Sequence, residues 1–212
     1  SYTKQEFLAL NEMPANPTHD GLISQGWNWS LSGAKNHLNT YDYLDIGQLY
    51  ITNDGATRIY VDLDDENSLS PTIMCDLTGT AIIDWGDNSS TTVSGNFSET
   101  HTYSSTGNYI VRLIPQTSST ISIRGTTAGG SELFKNSGRT TMENIRYLSK
   151  IYKIELGSNI RIIYYAFSNM LRLKSITMPS NQLTTSLASL INNCVSLRHI
   201  TLPNFNGTYT EV

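Results

Sequence analysis

The chain has 212 residues, of which 38% are hydrophobic and 15% charged, with a net charge of −4. This length suffices to bury a core, and aromatic and β-branched residues throughout exclude a disordered protein. Ser, Thr and Asn number 25, 25 and 19, which is typical of β-rich, turn-rich extracellular proteins. No apolar run approaches the roughly 20 residues that span a bilayer, and the sequence does not open on a signal peptide. Any leader or anchor is therefore expected outside these residues.

Charge is distributed unevenly along the chain. Residues 1–126 carry five Lys/Arg against fourteen Asp/Glu, whereas residues 127–212 carry nine against four. The asymmetry suggests two modules with different surfaces, and it leaves a polyanion preference of the second half open beside ordinary solvated charge. The basic residues are scattered without a nucleic-acid-binding motif, so we expect no nucleic-acid partner. Cys75 and Cys194 are the only cysteines, and we expect inert core thiols rather than a disulfide framework or a zinc site.

Residues 1–54 are predicted to form an N-terminal α/β module. Apolar residues around Phe7 indicate a short helical turn, and Ser30 or Ser32 is expected to cap a helix that extends to about Tyr41. After this helix the apolar period changes to two. Asn53-Asp54-Gly55 separates two alternating runs, which predicts a hairpin.

Residues 55–126 are predicted to form an antiparallel β-sandwich, because short alternating runs follow one another between turn residues. The predicted strands are Arg58–Leu63, Thr72–Leu77, Ala81–Trp85, Thr91–Ser94, Thr100–Tyr103, Tyr109–Ile114 and Thr120–Arg124. Gly125–Gly138 is rich in Gly, Ser and Thr, and we interpret residues 127–146 as a connector.

Residues 147–212 contain an internal repeat, whose units Ile151–Gly157, Leu173–Pro179 and Leu197–Pro203 follow one another at nearly equal steps. Each unit is predicted to be one strand with a short return, and stacked units form a solenoid. Alternation predicts an outward row, which is the best-defined candidate binding surface: Lys153, Glu155, Ser175, Thr177, His199 and Thr201. Asn204–Val212 has no polar capping element, so we expect a longer array or contact with a partner or second copy.

Two stretches resemble known families. Ile82–Asn88 and His101–Val111 contain W-G-D and H-T-Y-x-x-x-G-x-Y-x-V, which closely resemble the polycystic-kidney-disease (PKD) type immunoglobulin-like domain, with Asn88 where that family prefers Gly. The repeats resemble bacterial leucine-rich repeats of the BspA type (L-x-x-I-x-I-P, then A-F and N-C). The first repeat departs from that pattern at Gly157 and Met170.

A third stretch, Pro14–Trp27, is similar to the end of the Listeria–Bacteroides surface repeat, although Leu22 and Ser24 replace its aromatic residues. The PKD-like and BspA-like resemblances together imply a bacterial surface or secreted protein, or a phage or prophage tail component. Such families are associated with adhesion and ligand binding rather than catalysis.

Individual polar residues are interpreted structurally. Asp84 and Asp87 flank a tight turn and are expected to bond its backbone, although paired carboxylates also suit acid–base work or calcium. His101 is expected to be packed within a strand, without a nucleophile motif beside it. The acidic run Asp62–Asn67 lacks EF-hand spacing and is expected to be a solvated loop. The sequence therefore predicts no catalytic, cofactor or metal site.

Trp27 and Trp29 are separated by one residue and share a face if that segment is extended. They are candidates for sugar stacking, and burial in the N-terminal module is the favoured alternative. From these residues we predict a non-catalytic, adhesin-like bacterial surface protein whose repeat face binds a protein or glycan. A phage tail-associated host-binding protein and an accessory glycan-binding module of a larger enzyme remain alternatives.

Overall fold

The computed structural model describes residues 2–19, 22–52, 54–126, 130–134, 141–179, 183–184 and 190–201. The chain is mainly β-structure arranged in mixed sheets. It divides into two compact units, residues 1–54 and 55–212.

The first unit combines two short helices with a two-stranded sheet. Its elements are α1 (Lys4–Leu8), β1 (Leu22–Trp27), α2 (Leu31–Thr40) and β2 (Gln48–Thr52). The Thr3 hydroxyl accepts a hydrogen bond from the Glu6 amide, and the Glu6 carboxylate accepts one from the Thr3 amide, which forms a capping box at α1. The Ser30 side chain accepts a hydrogen bond from the Gly33 amide and so caps α2. Phe7, Ala34 and Leu38 are buried in a small apolar cluster between the helices.

The hairpin predicted around Asn53-Asp54-Gly55 is wrong. In the first unit β2 pairs antiparallel with β1. The next strand, β3 (Thr57–Leu63), is instead paired along both of its edges by strands from later in the sequence. Alternate β3 side chains are fully buried, so this strand takes a central place in a larger sheet rather than an arm of a local hairpin. Asn53 itself lies outside the described residues.

The second unit contains the remaining strands, one 3-10 turn at Glu66–Ser68 and one helix, α3 (Thr141–Leu148), among its described residues. The strands before α3 are β4 (Thr72–Thr78), β5 (Thr80–Asp84), β6 (Ser90–Ser94), β7 (Phe97–Thr100), β8 (Gly107–Pro115), β9 (Thr120–Ile123), β10 (Gly125–Thr126) and β11 (Gly130–Ser131). Those after it are β12 (Ile151–Glu155), β13 (Ile160–Ile162), β14 (Phe167–Ser168), β15 (Ser175–Thr177), β16 (Leu183–Thr184), β17 (Ile191–Asn192) and β18 (His199–Thr201).

Two larger sheets organise this unit. One has the order β18-β15-β12-β3-β8-β5-β6, and the other has the order β16-β13-β9-β4-β7. Each sheet joins strands from 55–126 to strands from the repeats, and one hydrophobic cluster contains residues of both regions, including Ile59, Trp85, Ile154 and Phe167. Residues 55–126 and the described repeat residues therefore share one compact unit, where the sequence suggested successive domains with separate surfaces.

The repeat strands pair in parallel at the spacing of the sequence repeat. Lys153 of β12 lies opposite Ser175 of β15, one repeat later, and Ser175 lies opposite His199 of β18 in the repeat after that. Two further parallel pairs, β13 with β16 and β14 with β17, also join strands that are one repeat apart. Ile154 and Ile176 are buried as expected, whereas Ile200 is 36% exposed. Residues 202–212, including the predicted uncapped end, lie outside the described residues.

Two predicted segments differ in detail. The connector 127–146 is not an exposed linker where it is described, because Leu133 and Phe134 are fully buried and the Glu132 carbonyl accepts a 3.0 Å hydrogen bond from the Met74 amide. The predicted strand Thr100–Tyr103 is replaced by β7 at Phe97–Thr100. Tyr103 turns into the core after it, and its hydroxyl donates a 2.9 Å hydrogen bond to the Trp85 carbonyl.

Gly157 occupies the position that is proline in the next two repeats, and its surroundings explain the difference. A Cβ there would overlap the Gly55 carbonyl group, and the Gly157 amide donates a 2.9 Å hydrogen bond to the buried Thr57 hydroxyl. We expect Gly157→Ala to lower the free energy of unfolding by about 1–3 kcal/mol through overpacking.

Gly157→Pro is expected to cost more, because it also leaves the Thr57 hydroxyl without its donor. Urea unfolding measures both, with Gly47→Ala as the control, since a Cβ there meets nothing within 4 Å. Equal stability of the proline variant and the wild type would contradict this account.

Candidate functional site

The candidate site is the outward face of the seven-stranded sheet, which we call the outer face. Backbone register aligns the six residues of the predicted row across β12, β15 and β18. It continues both lines onto β3 and β8, and one of them onto β5. One line contains Thr201, Thr177, Glu155, Arg58, Arg112 and Asp84, and the other contains His199, Ser175, Lys153, Tyr60 and Ile110.

One member of the predicted row is not available to a ligand. Thr177 is only 5% exposed, because it lies on the middle strand between the longer Glu155 on one side and Thr201 on the other. The other row residues are partly or fully exposed, so β15 contributes mainly Ser175 to the outer face.

Contacts between side chains fix the centre of the outer face. The Lys153 ammonium lies 2.7 Å from the Glu155 carboxylate and 4.7 Å from the centre of the Tyr60 ring. The Tyr60 hydroxyl donates a 2.8 Å hydrogen bond to the same carboxylate. Burial, followed by this hydrogen bond, raises the pKa of Tyr60 to about 12, so the phenol keeps its proton at neutral pH. The three side chains thus hold one another in place before any ligand arrives.

An open pocket of about 390 Å³ lies beside this centre, lined by Arg58, Asp84, Gly86, Asn88, Ile110 and Arg112. Arg58 and Arg112 are directly opposite each other on β3 and β8, an arrangement of like charges that destabilises a sheet unless acidic groups are nearby. Asp84 forms an ion pair with Arg112 on one side, and Glu155 is the cross-strand neighbour of Arg58 on the other.

The Asp84 carboxylate remains ionised in this setting. Burial alone acts to raise its pKa, but hydrogen bonds from the Arg112 guanidinium and the Gly86 amide outweigh burial and lower it. The pocket therefore presents guanidinium donors and a carboxylate acceptor beside the exposed side chain of Ile110. These groups supply hydrogen-bond donors and an acceptor of the kind that a polar ligand requires. Sequence patterns missed it, because only sheet register brings Arg58 and Arg112 together.

Trp27 and Trp29 do not form a shared exposed platform. Both are half-buried, and their indole nitrogens donate hydrogen bonds to different segments of the first unit. Trp27 bonds the Pro14 carbonyl at 2.8 Å, and Trp29 bonds the Asp45 carbonyl at 3.0 Å. Trp29 packs against the buried helix cluster. Trp27 instead lines an apolar pocket of about 260 Å³ in the same unit.

Asp87, Ser89 and His101 meet around the tight turn that follows Trp85. His101 Nε2 lies 2.7 Å from an Asp87 carboxylate oxygen and 3.5 Å from the Ser89 hydroxyl, which itself donates to Asp87 at 2.5 Å. Both partners use the same imidazole nitrogen, whereas a catalytic triad places the acid and the nucleophile on opposite nitrogens. The imidazole also stacks on the Trp85 ring at 4.7 Å, so the cluster fixes the turn.

The acidic run Asp62–Asn67, which begins at the end of β3, is paired with basic residues from 147–212. Arg172 contacts Asp62 at 2.7 Å and Asp64 at 2.9 Å, and Lys150 forms ion pairs with Asp64 and Asp65. The run predicted to be a solvated loop is thus largely neutralised. The charge asymmetry between the two halves is partly cancelled by these contacts, which removes part of the basis for a polyanion preference.

Both cysteines are free thiols. Burial raises the pKa of the Cys75 thiol, and Cys194 is half-buried with its Sγ 2.6 Å from the Phe167 carbonyl oxygen. Among the described residues, no group of three or more His, Cys, Asp or Glu side chains is placed to hold a metal ion. No helix in the described part of the chain is long and apolar enough to cross a membrane.

Comparison of the chain with known protein families, curated proteins and solved structures finds no match. The function of the chain is therefore inferred from its own residues and geometry.

Asp87 generates a prediction about acid stability. Burial acts to raise its pKa, but hydrogen bonds from Ser89 and His101 outweigh burial and hold it below the usual value. The native state therefore favours the carboxylate, and this stabilisation is present above about pH 4 and lost as pH falls through the lowered pKa. Asp87→Asn should make the fall in unfolding free energy between pH 5 and pH 3 shallower.

Urea unfolding at pH 7, 5, 4 and 3 measures this effect, and Glu12→Gln, which removes an exposed carboxylate, is the control. If the unfolding free energy fell as steeply between pH 5 and pH 3 in Asp87→Asn as in the wild type, the role assigned to the cluster would be contradicted.

Lys150 and Arg172 are predicted to contribute unequally. The Lys150 side chain is 10% exposed and that of Arg172 is 44% exposed. Lys150→Met should therefore lower the unfolding free energy by about 1–3 kcal/mol, whereas Arg172→Met should cost less than about 1 kcal/mol. Urea unfolding at low and high NaCl tests both, and salt should reduce mainly the Arg172 difference. Equal costs for the two variants would be inconsistent with their burial.

Proposed function

We propose that this chain is a non-catalytic ligand-binding protein of a bacterial surface, adhesin-like in role, whose outer face contacts a protein or glycan outside the cell. In this proposal residues 55–126 form a PKD-like sandwich, and the repeats form a short solenoid of the BspA type. The sandwich acts as a rigid support and the solenoid extends its binding surface.

Core contacts support the PKD-like assignment. Trp85, His101 and Tyr103 belong to the two motifs that carry the resemblance, and the three side chains pack together around the turn that the first motif encodes. Tyr103 ties the second motif to the first through its hydrogen bond to the Trp85 carbonyl. The motif residues thus act as a structural unit, which is consistent with a spacer domain.

Strand register supports the solenoid assignment. Parallel pairs between strands that are one sequence repeat apart are what stacked repeat units produce. Stacking makes the outward row continuous from one repeat to the next, and such rows bind extended partners.

The observation that carries the binding role is the alignment of the outward row with the Arg58–Arg112 pocket on one sheet. A face built on paired strands is rigid, and its central side chains are already fixed by contacts with one another. Binding to such a face loses little side-chain entropy. Its mixed charges and hydrogen-bonding groups favour a polar partner over an apolar one.

The non-catalytic part of the proposal has its own support. The cluster with the residue types of a nucleophilic triad, at Asp87, Ser89 and His101, places both partners on one imidazole nitrogen. That geometry pins a turn, and it does not leave His101 free to transfer a proton between an acid and a nucleophile.

A screen of the purified chain on glycan, mucin and extracellular-matrix arrays tests the proposal. Wild-type protein should give a saturable hit, and Ser175→Arg, which adds a bulky charged group in the middle of the outer face, should weaken it at least about tenfold (about 1.4 kcal/mol). Val195→Arg places the same side chain at a position that is 76% exposed and outside the outer face, and it should bind as the wild type does.

Silence across the arrays would overturn the adhesin-like role and favour a structural or tail-associated one. A hit that both variants bind with unchanged affinity would place the ligand away from the outer face.

A further inference from the structure

Four aromatic rings form a connected surface cluster in the first unit, which we call the tyrosine patch: Trp29, His37, Tyr41 and Tyr43. His37 is at its centre, with ring centroids 5.1 Å from Trp29, 4.6 Å from Tyr41 and 5.8 Å from Tyr43. Tyr41 and Tyr43 contact each other at 6.2 Å. Tyr41 is 50% exposed and Tyr43 is 67% exposed, so both residues are accessible to solvent.

Local structure holds these rings in place. His37 is in the last turn of α2 and Tyr41 is its C-cap residue, four positions later, which brings the two side chains to one side of the helix. The Trp29 indole is held by its hydrogen bond to the Asp45 carbonyl. It also packs over Gly33, where a Cβ would lie 3.5 Å from the ring. The half-buried indole therefore supports the exposed rings through His37.

A charged group accompanies the exposed rings. Asp42 lies between Tyr41 and Tyr43 in the sequence, and its side chain is 96% exposed. One carboxylate oxygen is 2.6 Å from the Lys4 ammonium, which also contacts the Tyr41 carbonyl at 3.3 Å. An ionised acceptor and a donor therefore lie next to the backbone of Tyr41.

From this arrangement we propose that the tyrosine patch binds a saccharide, with a pyranose ring stacked on Tyr41 and Tyr43 and its hydroxyls bonded by Asp42 and Lys4. A pyranose has an apolar face of C–H groups and a rim of hydroxyls. Its C–H hydrogens carry partial positive charge, which is attracted to the negative face of an aromatic ring. The hydroxyl rim would bond the donor and acceptor of the Lys4–Asp42 pair, which lies beside the Tyr41 backbone.

The patch suits a sugar better than a protein side chain. Protein hot spots are anchors that fill well-packed pockets from which water is excluded. Here the two tyrosines are exposed, the patch has no aliphatic member, and the Asp42–Lys4 ion pair lies beside the Tyr41 backbone. This inference goes beyond the proposed function and does not depend on it, because the patch belongs to residues 1–54 and the outer face to residues 55–212.

Isothermal titration calorimetry of the full chain with cellohexaose, chitohexaose and mannohexaose tests the proposal. At least one of these saccharides should bind the wild type. Tyr43→Ala should weaken that binding at least about tenfold, and Tyr43→Phe should stay within about twofold, because stacking requires the ring and not the hydroxyl. Tyr164→Ala is the matched control, since Tyr164 is a 49% exposed tyrosine of the second unit that also contacts another tyrosine ring.

Variants of the two surfaces separate this inference from the proposed function. Ser175→Arg should leave saccharide binding at the patch unchanged. Absence of binding by all three saccharides, or binding that Tyr43→Ala and Tyr41→Ala both retain, would overturn the proposal. If Ser175→Arg lost saccharide binding and Tyr43→Ala retained it, the sugar site would be assigned to the outer face. If a fully deglycosylated protein bound the chain and Tyr43→Ala abolished that binding, the patch would be assigned to a protein partner instead.

Discussion

The architecture of the second unit depends on β3, which is paired along both edges. Every residue of β3 pairs with β8, and the segment from Arg58 to Val61 pairs with β12, the first repeat strand. Alternate side chains from Thr57 to Leu63 are fully buried. One face of the strand therefore packs on the hydrophobic cluster, and the other face forms part of the outer face. The repeat strands therefore extend an existing sheet.

Two further features follow from that pairing. Gly157 follows the first repeat strand at a point where the backbone of Gly55 occupies the space of a Cβ, which accounts for the loss of the repeat's proline there. At the other end of β3, the acidic run meets Lys150 and Arg172. Ion pairs across this junction neutralise charge that is unevenly divided along the sequence, and they tie the repeats to the sheet they extend.

The outer face derives its chemistry from the same register. Tyr60 lies beside Lys153 and Glu155 because β3 and β12 are antiparallel neighbours, and Arg58 lies opposite Arg112 because β3 and β8 are. None of these cross-strand pairs is close in sequence. The tyrosine patch has a different origin, because three of its four rings belong to one helix end and the residues just after it. The chain thus has two candidate binding surfaces, one built by long-range strand pairing and one by local structure.

The sequence by itself determined what depends on short-range patterns. The mainly β composition, the helix capped by Ser30 or Ser32, most strands between Arg58 and Arg124, and the alignment of Lys153 with Ser175 and His199 all follow from period, capping and repeat spacing. Outside the repeats, tertiary structure alone decided which strands pair, because an alternating apolar run indicates which side chains are buried and not which strand lies along its edges. For this reason the predicted Asp-Gly hairpin was wrong, and Thr177, on a strand paired along both edges, is buried. The two tryptophans likewise donate hydrogen bonds to separate carbonyls and are half-buried, whereas Tyr41 and Tyr43 are exposed. Sequence did not predict this, because the exposure of a side chain depends on partners that are distant in sequence.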